Sequence, residues 1–172
     1  MVSRRQFIRA DFNGQCTEVR PPWVCTDEMF TQTCTACNDC IDVCPEKIIV
    51  AGTAGYPAID FSRGECTFCE RCDEVCEPRA INKSAHSKPW NRIVEISPQC
   101  LANQNIFCRS CAEICETEAI QFQLTQGIQA PQLSTSACNG CGACIGCCPV
   151  NAINSIRQPA APEIKHAVGD TR

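Results

Sequence analysis

Large apolar side chains are scarce in this sequence. One Tyr, two Trp and seven Phe are its only aromatic residues, 6% of the 172 positions. The apolar core must therefore be thin, and we expect another source of folding free energy. Long apolar runs are missing as well: none approaches the roughly 18 residues of a membrane span, so we expect a soluble protein.

The sequence also lacks the features of several functional classes. Its net charge is −4 and its 15 basic residues form no long block, which disfavours nucleic acid as a partner. It contains no G-x-G-x-x-G turn, no phosphate loop and no Ser/His/Asp constellation. We therefore predict that the chain is not an enzyme on its own.

The N-terminal segment contains only part of an export signal. Ser3-Arg4-Arg5 looks like the start of a twin-arginine signal, but charged and polar residues up to Arg20 interrupt the apolar stretch of about 7–15 residues that should follow. We expect a cytoplasmic protein, in which the Arg pair is either a solvated terminus or part of a docking surface.

Cysteine, in contrast, is abundant, with 19 residues. The odd count and the expected reducing compartment argue against a disulfide scaffold. Most of the cysteines fall into four sets, three of which have the spacing C-x2-C-x2-C-x3-C, while the third set has a longer first gap. The sets are Cys34, Cys37, Cys40 and Cys44; Cys66, Cys69, Cys72 and Cys76; Cys100, Cys108, Cys111 and Cys115; and Cys138, Cys141, Cys144 and Cys148.

The stretches between the sets indicate a duplicated unit. The sets begin at intervals of roughly thirty-odd residues, a period typical of internal repeats. KIIVAGTAGYPAIDF, between sets 1 and 2, predicts a β-hairpin. Between sets 2 and 3 a turn-prone centre precedes a β-branched run, and IQFQLTQGIQAPQL, between sets 3 and 4, has the same outline as that segment. The β-branched run from Ile93 to Ile96 predicts a further strand. Residues around the cysteines could form one or two helical turns, which need a tertiary partner to be stable.

The cysteine spacing is typical of 4Fe-4S clusters. Two-residue gaps let one curled loop present three thiolates to three irons, and in two-cluster ferredoxins the fourth cysteine ligates the neighbouring cluster. A zinc ion needs only four ligands, usually from two separated pairs, and does not explain so many thiols in this rhythm. At the less regular third set, zinc or a ligand-poor cluster remains an alternative.

Cross-ligation within each half of the chain predicts four clusters, three on regular sets and one on the irregular set. We number them 1 to 4. Their ligands would be Cys34, Cys37, Cys40 and Cys76 (cluster 1); Cys66, Cys69, Cys72 and Cys44 (cluster 2); Cys138, Cys141, Cys144 and Cys115 (cluster 3); and Cys100, Cys108, Cys111 and Cys148 (cluster 4).

The predicted fold is α+β, with two units that resemble bacterial dicluster ferredoxins and have little regular secondary structure. We place an N-terminal arm at 1–30, the two units at 31–92 and 93–158, and a flexible tail at 159–172. Because the clusters should supply much of the folding free energy, we expect the cluster-free chain to be largely unfolded.

Three cysteines remain outside these assignments. Both Cys147 and Cys148 follow Cys144, but only Cys148 keeps the three-residue gap. We interpret Cys147, Cys16 and Cys25 as small buried apolar residues, with a spare ligand or a redox-active thiol as the alternatives.

Six segments carry a resemblance to a known family over nearly the full length. They are SRR at 3–5, RPPW at 20–23, AGTAGYP at 51–57, CLANQ at 100–104, CNGCGAC at 138–144 and CCPVNAI at 147–153. In these the chain resembles the NapF family of ferredoxin-type proteins of periplasmic nitrate reductase systems. The resemblance implies a cytoplasmic protein that contacts the catalytic subunit, NapA, before export and assists its maturation by assembling or reducing its 4Fe-4S cluster.

Two other functions remain open. The chain could be an electron-transfer ferredoxin in an anaerobic respiratory chain, or the iron–sulfur subunit of a larger oxidoreductase. For the maturation function we expect the segment from Arg4 and Arg5 to Trp23 to bind the partner, because it is basic and ends in an aromatic side chain.

Overall fold

The structure, a computed structural model, describes residues 18–125 and 128–158, and its helices and strands are short. The helices are α1 Asp27–Thr33, α2 Asp39–Val43, α3 Arg71–Glu74, α4 Ser110–Glu113 and α5 Ala143–Gly146, with 3-10 turns at Thr53–Gly55, Lys83–Ala85 and Ala102–Gln104. The strands are β1 Ile49–Ala51, β2 Pro57–Ile59, β3 Arg92–Ile96, β4 Ile120–Thr125, β5 Ile128–Leu133 and β6 Ile153–Arg157.

Antiparallel strand pairs frame the cysteine loops. Strands β1 and β2 pair with Ile49 opposite Ile59, and β4 and β5 pair with Ile120 opposite Leu133. The first pair confirms the hairpin predicted between sets 1 and 2, and the second shows that the segment between sets 3 and 4, where only short strands around a turn were expected, also contains a pair of strands. Strand β3 includes the run from Ile93 to Ile96 and pairs with β6, which follows set 4, so the start and end of the second half are joined.

One turn recurs after the fourth cysteine of every set. The third residue past that cysteine has a positive φ of 50–58°, and its amide donates a hydrogen bond to the carbonyl of the cysteine. The four residues with this conformation are Lys47, Arg79, Glu118 and Asn151. The predicted duplication is therefore confirmed at the level of backbone conformation.

Two apolar clusters form the core, and each is built partly from thiols. The first contains Trp23, Phe30 and Ile81 together with three cysteines of sets 1 and 2. The second is smaller and centres on Val94, Ile153 and two cysteines of sets 3 and 4. Because buried thiols belong to both cores, a ligand bound to these thiols would also contribute to the packing of the cores.

Trp23 belongs to the first core and is only 4% exposed. Its amide bonds the carbonyl of Pro89 and its carbonyl accepts from Asn82, so the RPPW segment is fixed against the chain that follows set 2. Arg20 forms an ion pair with Asp27. Trp23 is therefore not accessible as the aromatic anchor expected at the end of the partner-binding segment, while Arg4 and Arg5 lie outside the described residues.

The two halves meet at an aromatic junction. The ring of Trp90 contacts Phe61 and Phe68 edge to face, with centroid distances of 5.9 and 5.8 Å. Its indole N–H donates to the carbonyl of Asn139, next to set 4, at 2.9 Å. We call Phe61, Phe68, Trp90 and residues 139–142 the junction.

Glycine is required on the set 4 side of the junction. A Cβ at Gly142, whose φ is +88°, would lie 2.0 Å from Cδ1 of Phe61, and one at Gly140 would lie 2.7 Å from the indole nitrogen of Trp90. The glycines of CNGCGAC thus allow the cysteine loop to approach the rings of the first half closely.

Mixed helix and strand content agrees with the predicted α+β class. In residues 18–125 and 128–158, no helix has the length and apolar character to cross a membrane.

Candidate metal centres

The third cysteine of each set occupies the same structural position. It is the second residue of a short helix (α2, α3, α4 or α5), and its side chain is only 7–8% exposed. Helices α2 and α3 pack together in the first half, as α4 and α5 do in the second. These pairings bring set 1 to set 2 and set 3 to set 4. The four cysteines are Cys40, Cys72, Cys111 and Cys144.

One cavity in the first half is lined by the thiols assigned to cluster 1. It encloses about 330 Å³, part of it open to solvent, and its apolar wall includes Phe30, Val75 and Ile81. Three set 1 cysteines line it together with the last cysteine of set 2, and Cys44 is not in its wall. The lining cysteines are Cys34, Cys37, Cys40 and Cys76.

A second cavity holds the thiols assigned to cluster 2. It encloses about 360 Å³, including space open to solvent, and its wall includes Trp23, Ile48 and Phe68. Here too, three cysteines come from one set and the fourth from the other. The lining cysteines are Cys44, Cys66, Cys69 and Cys72.

In the second half, thiols of sets 3 and 4 surround Cys144. Burial raises the pKa of Cys144 most, and the nearby thiols of sets 3 and 4 raise it further. Those neighbours are Cys141, Cys138, Cys111 and Cys115. The group contains the four cysteines assigned to cluster 3 together with Cys111, the third cysteine of set 3.

In the irregular third set, a 3-10 turn takes up the additional residues between the first and second cysteines. Asn105, with φ +62°, stands where a regular set would have its first cysteine, and a 3-10 turn at Ala102–Gln104 fills the longer gap. Burial and the neighbouring thiols of Cys147, Cys100 and Cys108 raise the pKa of Cys111 to about 11. Cys100 therefore lies beside the rest of its set despite its distance in sequence.

Buried thiols in both halves have raised pKa values. Burial, then Cys34, Cys37 and Cys76, raises the pKa of Cys40 to about 12. Burial likewise raises the pKa of Cys72 to about 12, and among the nearby thiols Cys66 raises it most. These thiols would become thiolates together only with a cation among them, and the iron of a cluster would supply that charge.

Hydrogen bonds to sulfur recur at the fourth cysteines. Cys76 Sγ accepts from the amide of Ile81 at 3.3 Å, and Cys148 Sγ accepts from the amide of Ala152 at 3.2 Å. Burial pushes the pKa of Cys115 upward, but hydrogen bonds with the Thr117 hydroxyl and backbone amides outweigh it and leave the pKa lowered. Such bonds favour thiolate and tune the reduction potential of a bound cluster.

The donor chemistry and the cavities fit 4Fe-4S clusters. Thiolate is the ligand that iron–sulfur clusters take, and each cavity in the first half has four thiols in an apolar wall. Among the described residues, no three His, Cys, Asp or Glu side chains are grouped tightly enough to ligate a single metal ion. The thiolates of a cubane sit on four irons and need not approach each other that closely.

The remaining cysteines have different environments. Cys25 is exposed, so the prediction that it is buried is wrong, and Cys16 lies outside the described residues. Cys147 is partly buried against the second core, beside Cys111. Sequence reasoning also missed Trp90, because no motif marks a contact between distant halves.

These features define an iron–sulfur protein of the ferredoxin type. The sequence matches the 4Fe-4S dicluster domain family over residues 33–92 and 106–152. It is similar to the ferredoxin-type protein NapF of Escherichia coli strain K12, 39% identical over 155 residues that cover 90% of this chain and 94% of that protein. It is also similar to NapF of Haemophilus influenzae, 41% identical over 170 residues that cover 91% of this chain and 96% of that protein. The chain belongs to the NapF family of ferredoxin-type proteins, as its sequence motifs predict.

Proposed function

We propose that this protein acts in the cytoplasm on NapA, the catalytic subunit of periplasmic nitrate reductase, before export. It would assemble or reduce the 4Fe-4S cluster of NapA, and would not be an enzyme by itself. The observation that carries the proposal is the likeness to NapF proteins over 94–96% of their length. A likeness of that extent includes both halves and the segment around RPPW, and not only the cysteine loops.

We propose a content of four 4Fe-4S clusters with the cross-ligation predicted from the sequence. The support is the sharing of thiols between sets, since each first-half cavity is lined by three cysteines of one set and one of the other. The electrostatic neighbours of Cys144 support the same pattern in the second half.

The contact surface for NapA is proposed to lie at the third set. Phe107 is 81% exposed and Ile106 is 51% exposed, and both directly precede Cys108. Phe107 corresponds in the repeat to Phe68, whose ring instead packs on Trp90 in the junction. An exposed aromatic beside a cluster ligand would let the partner approach cluster 4 closely, as cluster assembly or reduction requires.

The proposal is tested on NapA retained in the cytoplasm of cells with and without this protein. Iron content and the EPR signal of the NapA cluster are compared at equal NapA levels. We expect cells without the protein to yield NapA deficient in its cluster. Fully loaded NapA in both strains would contradict the maturation role.

Electron transfer is the second candidate, and the junction favours it. The Cys66 amide donates to the carbonyl of Cys141 at 2.9 Å, which makes the proposed clusters 2 and 3 neighbours. A continuous series of clusters suits a carrier between a quinol or flavin donor and an acceptor. Rapid, catalytic oxidation of the reduced protein by NapA, without any change in the iron content of NapA, would favour this function.

A further inference from the structure

The second half has an additional thiol at a position that is apolar in the first half. Cys147 precedes Cys148, the last cysteine of set 4, just as Val75 precedes Cys76 in set 2. Val75 lines the cavity assigned to cluster 1, next to Cys76. The duplication therefore places Cys147 in the wall of the corresponding site for cluster 4.

The contacts of Cys147 agree with that position. It is the C-cap residue of α5, which packs against α4. It also packs against the second core, which contains Cys111 of α4. Its Sγ is 3.4 Å from the carbonyl oxygen of Cys144, a weak hydrogen bond that leaves the sulfur lone pairs available. The neighbours of Cys111 include Cys147 as well as Cys100 and Cys108.

Cys148 has a different contact. Its Sγ accepts the amide of Ala152, as Cys76 accepts the amide of Ile81 in the first half. Cys148 thus keeps the position of a regular fourth ligand, while Cys147 adds a thiol beside Cys108 and Cys111.

We propose that Cys147 is a fifth thiol of the cluster 4 site and can ligate the cluster in place of Cys148. The inference rests on the fourth cluster of the proposed cofactor content. In the exchange, the iron–sulfur bond to Cys148 breaks and a bond to Cys147 forms. Cys147 releases its proton, Cys148 takes one up, and no iron changes its oxidation state.

The experiment compares matched variants of the full-length protein, purified and reconstituted without oxygen. Iron and sulfide per chain and the EPR spectrum of the reduced protein are measured for Cys148→Ala, Cys147→Val and the double variant. Cys76→Ala is the control, because its neighbour Val75 cannot replace the lost ligand. Val75→Cys in the Cys76→Ala background tests whether a neighbouring thiol is sufficient.

We expect Cys148→Ala to keep the iron content of the unmodified protein and to change its EPR spectrum, while Cys76→Ala and the double variant each lose one cluster. Val75→Cys should restore the cluster that Cys76→Ala loses. Loss of a cluster from Cys148→Ala alone would overturn the inference, and so would a full cluster content in the double variant.

A second measurement uses the unaltered protein and does not depend on how a variant folds. The cluster-loaded chain is alkylated under anaerobic conditions and the modified cysteines are identified by mass spectrometry. The exposed Cys25 should react fully, Cys16 is scored separately, and within set 4 one label should be shared between Cys147 and Cys148. Labelling of Cys147 with none on Cys148 would contradict the exchange. Neither measurement involves NapA, so their outcome is independent of the maturation test.

Discussion

The backbone amide of Cys66 donates a hydrogen bond to the carbonyl of Cys141 over 2.9 Å, which joins the second cysteine set directly to the fourth. The thiol of Cys141 is also among the electrostatic neighbours of Cys66, whose pKa is raised to about 11 chiefly by burial. The duplicated halves therefore form one assembly, and the proposed clusters 2 and 3 lie on either side of this contact.

Gly142→Ala tests the importance of the junction. The new Cβ would lie 2.0 Å from Phe61, so the ring or the loop must move. We expect the free energy of unfolding to fall by about 1–3 kcal/mol beyond the cost of the backbone conformation. Magnetic coupling between clusters 2 and 3 should weaken in the EPR spectrum of the reduced protein.

Gly55→Ala is the matched control for that variant. Gly55 has a similar φ of +79°, but nothing lies within 4 Å of the added Cβ. Its cost should be limited to the left-handed conformation, about 1–2 kcal/mol. Equal losses of stability in the two variants would show that the junction contributes nothing.

The junction also marks where sequence reasoning stops. The cysteine sets and the hairpin around Gly52 are encoded by local spacing and alternation, so they could be predicted. The contact between Trp90 and Asn139 joins residues far apart in the chain, and no local pattern encodes it. Trp23 was misassigned for the same reason, because RPPW does not reveal that its ring packs into a distant core.

Thr117→Val should lower the reduction potential of cluster 3. The Thr117 hydroxyl lies 3.6 Å from Cys115 Sγ and is one of the groups that lower the pKa of this thiol. Loss of a hydrogen bond worth about 1 kcal/mol corresponds to roughly 40 mV for one electron. Redox titration followed by EPR measures the shift. Thr31→Val is the control, because its hydroxyl bonds the carbonyl of Glu28 instead of a cysteine. Similar potentials in both variants would contradict the assignment.

Cluster insertion should become more favourable as pH rises. Burial raises the pKa of Cys40 and Cys72 to about 12 and of Cys111 to about 11, so these thiols are protonated at neutral pH without a cluster. Each must lose its proton to ligate iron, and assembly therefore releases protons. Reconstitution yield measured between about pH 7 and about pH 8.5 should increase with pH, whereas a flat or falling yield would contradict this account.

The cluster-free chain should respond to pH in the opposite sense. Raised pKa values mean that a folded chain holds these protons more tightly than an unfolded one. Their contribution to stability is complete below the ordinary thiol pKa of 9.0 and is lost as pH rises from there towards the folded-state values. The residual ellipticity of the cluster-free protein should therefore decrease between about pH 9 and about pH 11, and an increase over that interval would contradict the assignment.

Phe107→Ser should weaken binding to NapA. The side chain is 81% exposed, so its replacement removes contact area for the partner without leaving a cavity. Met29→Ser is the control, because Met29 is also largely exposed, at 55%, but lies on α1 in the first half. Calorimetry with cytoplasmic NapA should give a weaker affinity for Phe107→Ser alone, by up to about tenfold for a loss of about 1.4 kcal/mol. Equal affinities would place the contact elsewhere.

The role of the N-terminal segment in NapA binding is best tested by deleting residues 1–17 and not the whole segment up to Trp23. Removing residues 1–24 would take Trp23 out of the first core and out of the wall of the cluster 2 cavity. Removing 1–17 keeps Trp23 in the chain, so with an unchanged cluster content a loss of NapA binding would show that the segment containing Arg4 and Arg5 contributes to binding.

Diffraction from the anaerobically crystallised protein at the iron absorption edge tests the central claim most directly. The account predicts four 4Fe-4S clusters, each with three ligands from one cysteine set and one from its partner set, such as Cys76 on the cluster of set 1. A cluster held by Cys34, Cys37, Cys40 and Cys44, all from a single set, would contradict it.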